Sequence, residues 1–175
     1  ANRYIYQSFL KKHVKLTPKI YQKNFVNKCP KSDIYITGSD QVWNSKHNQG
    51  VDTIYYYENI QAPKVAFASS FGQEQLSENE YTAVKELLGR YSHLSVREES
   101  GKRIVESMGY FAEHLLDPTF LLNKEEWQNY MSQRKIKEDY LLIYTPYNTV
   151  NKQAIFDAAD SIAQEKKLKI VTFSW

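Results

Sequence analysis

Cysteine is nearly missing from this sequence: Cys29 stands alone among 175 residues. One thiol permits no disulfide within the chain and no multi-cysteine metal site. Glycine and proline are scarce, at 6 and 5, while 42% of the residues are hydrophobic, which excludes collagen-like and disordered scaffolds. No stretch approaches the roughly 18 consecutive apolar residues that a membrane span needs. The N-terminus opens with Arg3 and Tyr4 rather than a basic patch followed by an apolar core, so no leader is visible and a cytoplasmic location is expected. The histidines His13, His47, His93 and His114 lie far apart in sequence, and no metal site is expected from them.

Acidic side chains are absent from one region. Residues 1–31 hold Arg3, Lys11, Lys12, Lys15, Lys19, Lys23, Lys28 and Lys31 with no Asp or Glu, leaving 15 basic against 20 acidic side chains in the remainder. A basic arm on a mildly acidic body suits nucleic acid, a membrane surface or an anionic substrate. The lysines are well spaced, however, with Phe9, Leu10, Tyr21 and Phe25 between them, and this reads as a solvated helix and loop packed on a core. No nucleic-acid module signature is present. The length supports a domain large enough to bury a core without covalent staples.

What is there alternates between two periodicities. Short β-type runs at Ile34–Thr37, Lys64–Ser69, Leu94–Val96, Tyr140–Tyr144 and Lys169–Phe173 predict strands. Between them lie helical patterns. Ser77 with Glu80 forms a capping box ahead of Tyr81, Val84, Leu87, Leu88 and Tyr91; Ile104, Val105 and Met108 precede a stop at Gly109. Asn123 with Glu126 opens another helix through Trp127 and Tyr130, and Val150–Lys166 carries Ile155, Ala158, Ala159 and Ile162 on one side. Strand and helix in regular alternation predict an α/β fold, a parallel Rossmann-like sheet flanked by helices. The last strand reaches Trp175 with nothing after it to cover its face, so the chain reads as a fragment.

In open parallel sheets ligands bind beyond the carboxyl ends of the strands. Here that rule selects Gly38–Asn44, Ser69–Gly72, Ser95–Glu98, Asp117–Thr119 and Thr145–Asn148. Arg97 lies at a strand end and a helix start, where free N–H groups and the helix dipole favour an anion and a guanidinium fork would clamp phosphate or carboxylate. The competing reading is an ion pair with Glu98, Glu99, Asp40 or Asp117. The run Gly38, Ser39, Asp40, Gln41, Val42, Trp43, Asn44 offers a carboxylate, two amides and an indole, an inventory suited to a sugar ring and its hydroxyls. Equally, Asp40 could cap a following helix and Trp43 could be core. Ser69, Ser70 and Gly72 could lend donors to a phosphate but lack the lysine of a P-loop. His93 and His114 are expected at strand beginnings, the wrong end for this crevice, and Tyr55–Tyr57 reads as a half-buried β-prone run.

Placed together, GSDQVWN (38–44), ASSFG (68–72), SVRE (95–98) and LDPTFLL (116–122) resemble the polysaccharide pyruvyl transferase family in order and spacing. The resemblance runs from about Asp33 to Leu122, with Tyr140–Tyr144 matching the strand that opens the family's second half. It implies a two-domain, GT-B-like enzyme, with residues 1–135 as an N-terminal Rossmann-like domain lacking its first strand and 136–175 as the beginning of a C-terminal one. It also implies that the enolpyruvyl group of phosphoenolpyruvate is set as a ketal on a saccharide or lipid-linked saccharide in exopolysaccharide or cell-wall synthesis. Phosphoenolpyruvate would be a co-substrate, and no cofactor is implied. Arg97, with Ser95 beside it, would bind the donor anion, and Asp40, Gln41, Trp43, Asn44 and Ser70 would face the acceptor. The family's general-acid histidine belongs to a late arginine and histidine motif that these residues do not contain, and neither His93 nor His114 matches it. The chain alone is therefore expected to bind ligand without turnover. A nucleotide-sugar glycosyltransferase of the same architecture and a non-catalytic saccharide or anion-binding module are the alternatives.

Overall fold

The computed structural model describes residues 2–145 and 151–173, with side chains from residue 7 onward. Pro146–Asn148 of the fifth strand-end loop, Val150 at the expected helix start and the terminal Trp175 lie outside the described residues. The chain divides into two compact units, Leu16–Trp127 and a second made of Ala1–Lys15 with Gln128–Trp175.

The unit Leu16–Trp127 is built on four parallel strands, β1 (Tyr35–Thr37), β2 (Lys64–Ser69), β3 (His93–Val96) and β4 (Glu113–His114), which lie side by side in chain order. Its helices are α2 (Phe25–Lys28), α3 (Ser45–Asn48), α4 (Glu78–Leu88), α5 (Glu99–Ser107) and α6 (Lys124–Gln128), numbered after α1 (Asn2–His13) of the other unit. A parallel sheet that steps the same way at every strand, with right-handed crossovers, sends all of its connections across one face. The core follows this rule. Ala66, Leu94 and Val96 on that face pack with Phe71, Val84, Leu87, Leu88, Ile104, Val105 and Met108. On the opposite face, Ile36 pairs in register with Val65, and Ile36 remains 55% exposed.

Local chemistry sets the helix ends. Glu80 Oε2 accepts from the Ser77 backbone N–H at 3.0 Å, fixing the start of α4. At α6, Asn123 N–H donates to Glu126 Oε2 at 2.8 Å and Glu126 N–H to Asn123 Oδ1 at 2.9 Å. This helix stops at Gln128, short of the expected Tyr130, because the Gln133–Asp139 stretch beyond it supplies no apolar stripe. Gly109 takes φ +88° just past α5, as its sequence position predicted. The expected β-run at Tyr55–Tyr57 is corrected: Thr53–Tyr56 is a 3-10 turn, capped by Asp52 Oδ1 on the Ile54 N–H and closed by Tyr57 at φ +49°. Local capping overrides strand propensity there and buries Tyr56 in the core.

The second unit pairs β5 (Tyr140–Tyr144) with β6 (Lys169–Phe173) in parallel, joined by α7 (Lys152–Lys166). Ile143, Ala159 and Ala163 are its buried apolar side chains among the described residues. Among the described residues, no helix is long and apolar enough to cross a membrane.

Phe71 is fully buried at the centre of the larger core. Phe71→Ala should cost about 3–5 kcal/mol of unfolding free energy, since a cavity replaces a ring. Urea denaturation would measure it, and a loss below about 1 kcal/mol would show that this core is not close-packed.

Candidate functional site

Backbone hydrogen bonds gather the loops beyond β1, β2 and β3 at one rim. Ser70 N–H donates to Asp40 O at 3.2 Å and Trp43 N–H to Ser70 O at 3.1 Å, which zips the 38–44 loop to the end of β2. Arg97 N–H donates to Ser69 O at 3.1 Å, tying the end of β3 to the same loop. Asn44 caps α3 by accepting from the N–H groups of Lys46 and His47, both at 3.1 Å, while its amide donates to Gln41 Oε1 at 2.7 Å. Gly72, at φ +59°, lies against this amide pair, and a Cβ there would come within 2.6 Å of both Asn44 Nδ2 and Gln41 Oε1. The ASSFG turn therefore uses its glycine twice, for conformation and for room.

The charged part of the rim is centred on Arg97. Its Nη1 donates to Asp117 Oδ2 at 3.0 Å and its Nε to Glu98 Oε1 at 3.2 Å. Glu98 Oε1 also accepts from the Ser70 hydroxyl at 2.6 Å, and that hydroxyl accepts in turn from the Gly72 N–H at 3.1 Å. Glu98 Oε2 is buried without a hydrogen-bond partner among the described residues. Burial works against the Arg97 cation, but Asp117 and Glu98 outweigh it and hold the guanidinium charged above its ordinary range. The Thr119 N–H first, and then Arg97, hold the Asp117 carboxyl below the usual carboxylate range. With two of its five donors spent on these carboxylates and about a quarter of its side chain exposed, Arg97 is oriented and still has donors for an incoming anion. The two flanking carboxylates outnumber the guanidinium and leave the cluster net negative, so an anion must gain from geometry and from other cations.

Asp40, Gln41, Asn44, Ser70 and Arg97 thus belong to one connected rim. Ser95 is placed differently: its hydroxyl accepts from Ala68 N–H at 3.0 Å and donates to Ala66 O at 2.8 Å, bridging the bulge where Ala68 takes φ +49°. Trp43 is 2% exposed, stacked on Tyr56 at 5.3 Å and 8°, with its indole N–H donating to Tyr55 O at 3.3 Å. Its ring faces lie in the core, so it supports the loop from below and offers no platform to a sugar. His114 is corrected in position. It ends β4 instead of beginning a strand, and its Nε2 lies 3.0 Å from Arg97 O and its Nδ1 3.3 Å from Glu99 Oε2. The available signal was its distance of three residues from Asp117, which leaves no length for a strand between them.

Two outcomes are expected. Gly72→Ala should cost more than about 1 kcal/mol by urea denaturation, because φ is unfavourable and the amide pair must move. Asp117→Asn keeps an oxygen for Thr119 and removes the ion pair with Arg97. Folded Asp117 titrates below its unfolded value near ~3.9, so its stabilisation is complete above that value and is lost as pH falls through the folded one. The stability gap between the wild-type chain and Asp117→Asn should be widest above about pH 5 and close on acidification. A gap independent of pH would show that the pair contributes nothing to folding.

Neither curated proteins nor solved structures give a match to this chain. The family model described as Polysaccharide pyruvyl transferase matches residues 1–171, a span that takes in every loop of the rim and reaches well beyond the four motifs. On that match, the chain belongs to the polysaccharide pyruvyl transferase family.

Proposed function

We propose that the rim around Arg97 binds phosphoenolpyruvate for pyruvyl transfer to a saccharide, free or lipid-linked, in the cytoplasmic synthesis of an exopolysaccharide or cell-wall polymer. The family match supports the transferase class. The observation that carries the donor is Arg97 itself, a guanidinium held at a strand end by two carboxylates with donors to spare. In the reaction the methylene carbon of the enol is protonated, and an acceptor hydroxyl adds to the resulting oxocarbenium carbon and loses its proton. A second hydroxyl then displaces phosphate, closing the ketal. No redox partner is required.

In this reading Arg97 holds the donor carboxylate or phosphate, and Ser95 positions it by locking the bulge between β2 and β3. Asp40 and Gln41 offer acceptor and donor groups to sugar hydroxyls, with Asn44 and Ser70 fixing their orientation and Trp43 supporting the loop from the core. The proton on the methylene carbon is assigned to no described side chain. Because hydrogen bonds to charged groups contribute about 1.5–3 kcal/mol, Arg97→Ala should weaken phosphoenolpyruvate binding by about ten- to a hundred-fold. Calorimetric titration of this chain tests it, with Lys46→Ala as an exposed control. Stabilisation by a nucleotide sugar in place of phosphoenolpyruvate would assign the rim to glycosyl transfer, and unchanged affinity in Arg97→Ala would remove Arg97 from the donor site.

A further inference from the structure

The unit Leu16–Trp127 also contains an open cavity of about 650 Å³ beside the edge strand β1, walled by residues between 17 and 57. That volume suits a small-molecule ligand. Four of the six hydroxyls on its wall donate to backbone carbonyls: Tyr35 to Pro30 O at 2.6 Å, Tyr57 to Ile36 O at 3.1 Å, Ser32 to Ile34 O at 2.9 Å and Thr37 to Tyr55 O at 3.2 Å. Burial pushes the Cys29 thiol up, so it too stays neutral. A wall with four of its hydroxyl donors turned into the protein gives less to a sugar. What it presents is hydrocarbon, from Ile20, Phe25, Ile34, Ile36, Val42 and Ile54. Ile34 and Ile36 are 47% and 55% exposed, apolar surface left facing water.

The segment that leads into this opening is basic as far as Asp33, which lies between the wall residues Ser32 and Ile34. Lys19 lines the cavity, with Nζ 5.2 Å from the Tyr21 ring centroid, and Lys23, Lys28 and Lys31 follow in the same segment, all exposed. No acidic residue occurs before Asp33. Neutral hydrocarbon would leave the lysines without a counter-charge, and a free phosphate would leave the apolar wall wet. A ligand that answers both has a hydrocarbon chain and an anionic head.

We propose that this cavity takes one hydrocarbon chain of an anionic bilayer lipid, with Lys19 and its neighbouring lysines on the phosphate. The site does not depend on pyruvyl transfer, because no residue of the Arg97 cluster lines it. Gly38 and Val42 belong both to the cavity wall and to the 38–44 loop, so an occupied cavity would bear on the root of the saccharide rim.

The test is calorimetric titration of the 175-residue chain with dodecyl phosphate below its aggregation threshold, with inorganic phosphate and dodecyl maltoside as comparators. Saturable one-to-one binding is expected, at least about ten-fold tighter than either comparator. Ile36→Glu places a charge on the exposed wall and should weaken it by about ten-fold, with Ile34→Glu as a second position, and Lys19→Gln should weaken it by about five-fold. The chain should co-sediment with phosphatidylglycerol vesicles and not with phosphatidylcholine vesicles. Equal binding of inorganic phosphate would reduce the site to an anion patch, and equal binding of dodecyl maltoside would make it an uncharged apolar pocket. Either result, an unchanged affinity in both folded Glu variants, or no sedimentation with phosphatidylglycerol would overturn the proposal.

Discussion

Four parallel strands laid down in chain order constrain most of what this chain can do. Because each crossover steps the sheet the same way, the connecting segments stack on one face, and the buried residues from Trp43 to Ala112 form their core there. The carboxyl ends of the strands open on one rim, where the turns after β1, β2 and β3 meet through the Asp40, Ser69 and Ser70 backbone. On the opposite face, Ile36 stays 55% exposed beside a cavity. Among the described strands the order never reverses, so the usual crevice at a topological switch point is not available. The rim is instead assembled from loops hydrogen-bonded to one another.

Electrostatics at that rim favour order over affinity. A guanidinium between two carboxylates is rigid, and the buried Ser70 hydroxyl and the Gly72 N–H extend the order from Arg97 back to the amide pair of the first loop. Its field at a distance is that of a net negative charge, however, since two negative charges lie within 3.2 Å of one positive charge. An anionic donor would be selected there by the direction of the remaining N–H groups more than by long-range attraction. The unpaired Glu98 oxygen shows the same balance: its carboxylate is positioned through one oxygen and left unsatisfied at the other.

Much of this was legible in the sequence because local signals were decisive. The strands at 64–69, 140–144 and 169–173 follow from β-branched and aromatic runs, and the starts of α4 and α6 follow from Ser77 with Glu80 and Asn123 with Glu126. The gathering of the 38–44 and 69–72 loops with Arg97 follows from the rule that sites form beyond strand ends. What was hidden depends on contacts that no local pattern encodes. Whether Trp43 faced a sugar or the core was decided by Tyr56, thirteen residues on, which stacks on it. Ser95 was spent on a bulge in the neighbouring strand, and a bulge leaves no composition signature. His114 was misplaced because β4 is only two residues long, below the length at which alternation can be read.

The two surfaces proposed on one small unit raise the question of what would keep their ligands apart, and the fate of the polar hydrogens bears on it. At the cavity, four of the wall's hydroxyls donate to backbone carbonyls of their own wall, which leaves a polar ligand fewer donors there. At the rim, three Arg97 donors and the exposed Asp40 carboxylate remain available, so a hydrocarbon chain lying there would strip water from charged groups without replacing it. Each surface would therefore disfavour the other's proposed ligand through an unpaired-polar penalty. The two share Gly38 and Val42 of the 38–44 loop, and they are also joined by hydrogen bonds from Ser69 Oγ to Thr37 O at 2.9 Å and from the Trp43 indole to Tyr55 O at 3.3 Å. Communication between them would run through the backbone of that loop and through the Ser69–Thr37 and Trp43–Tyr55 hydrogen bonds.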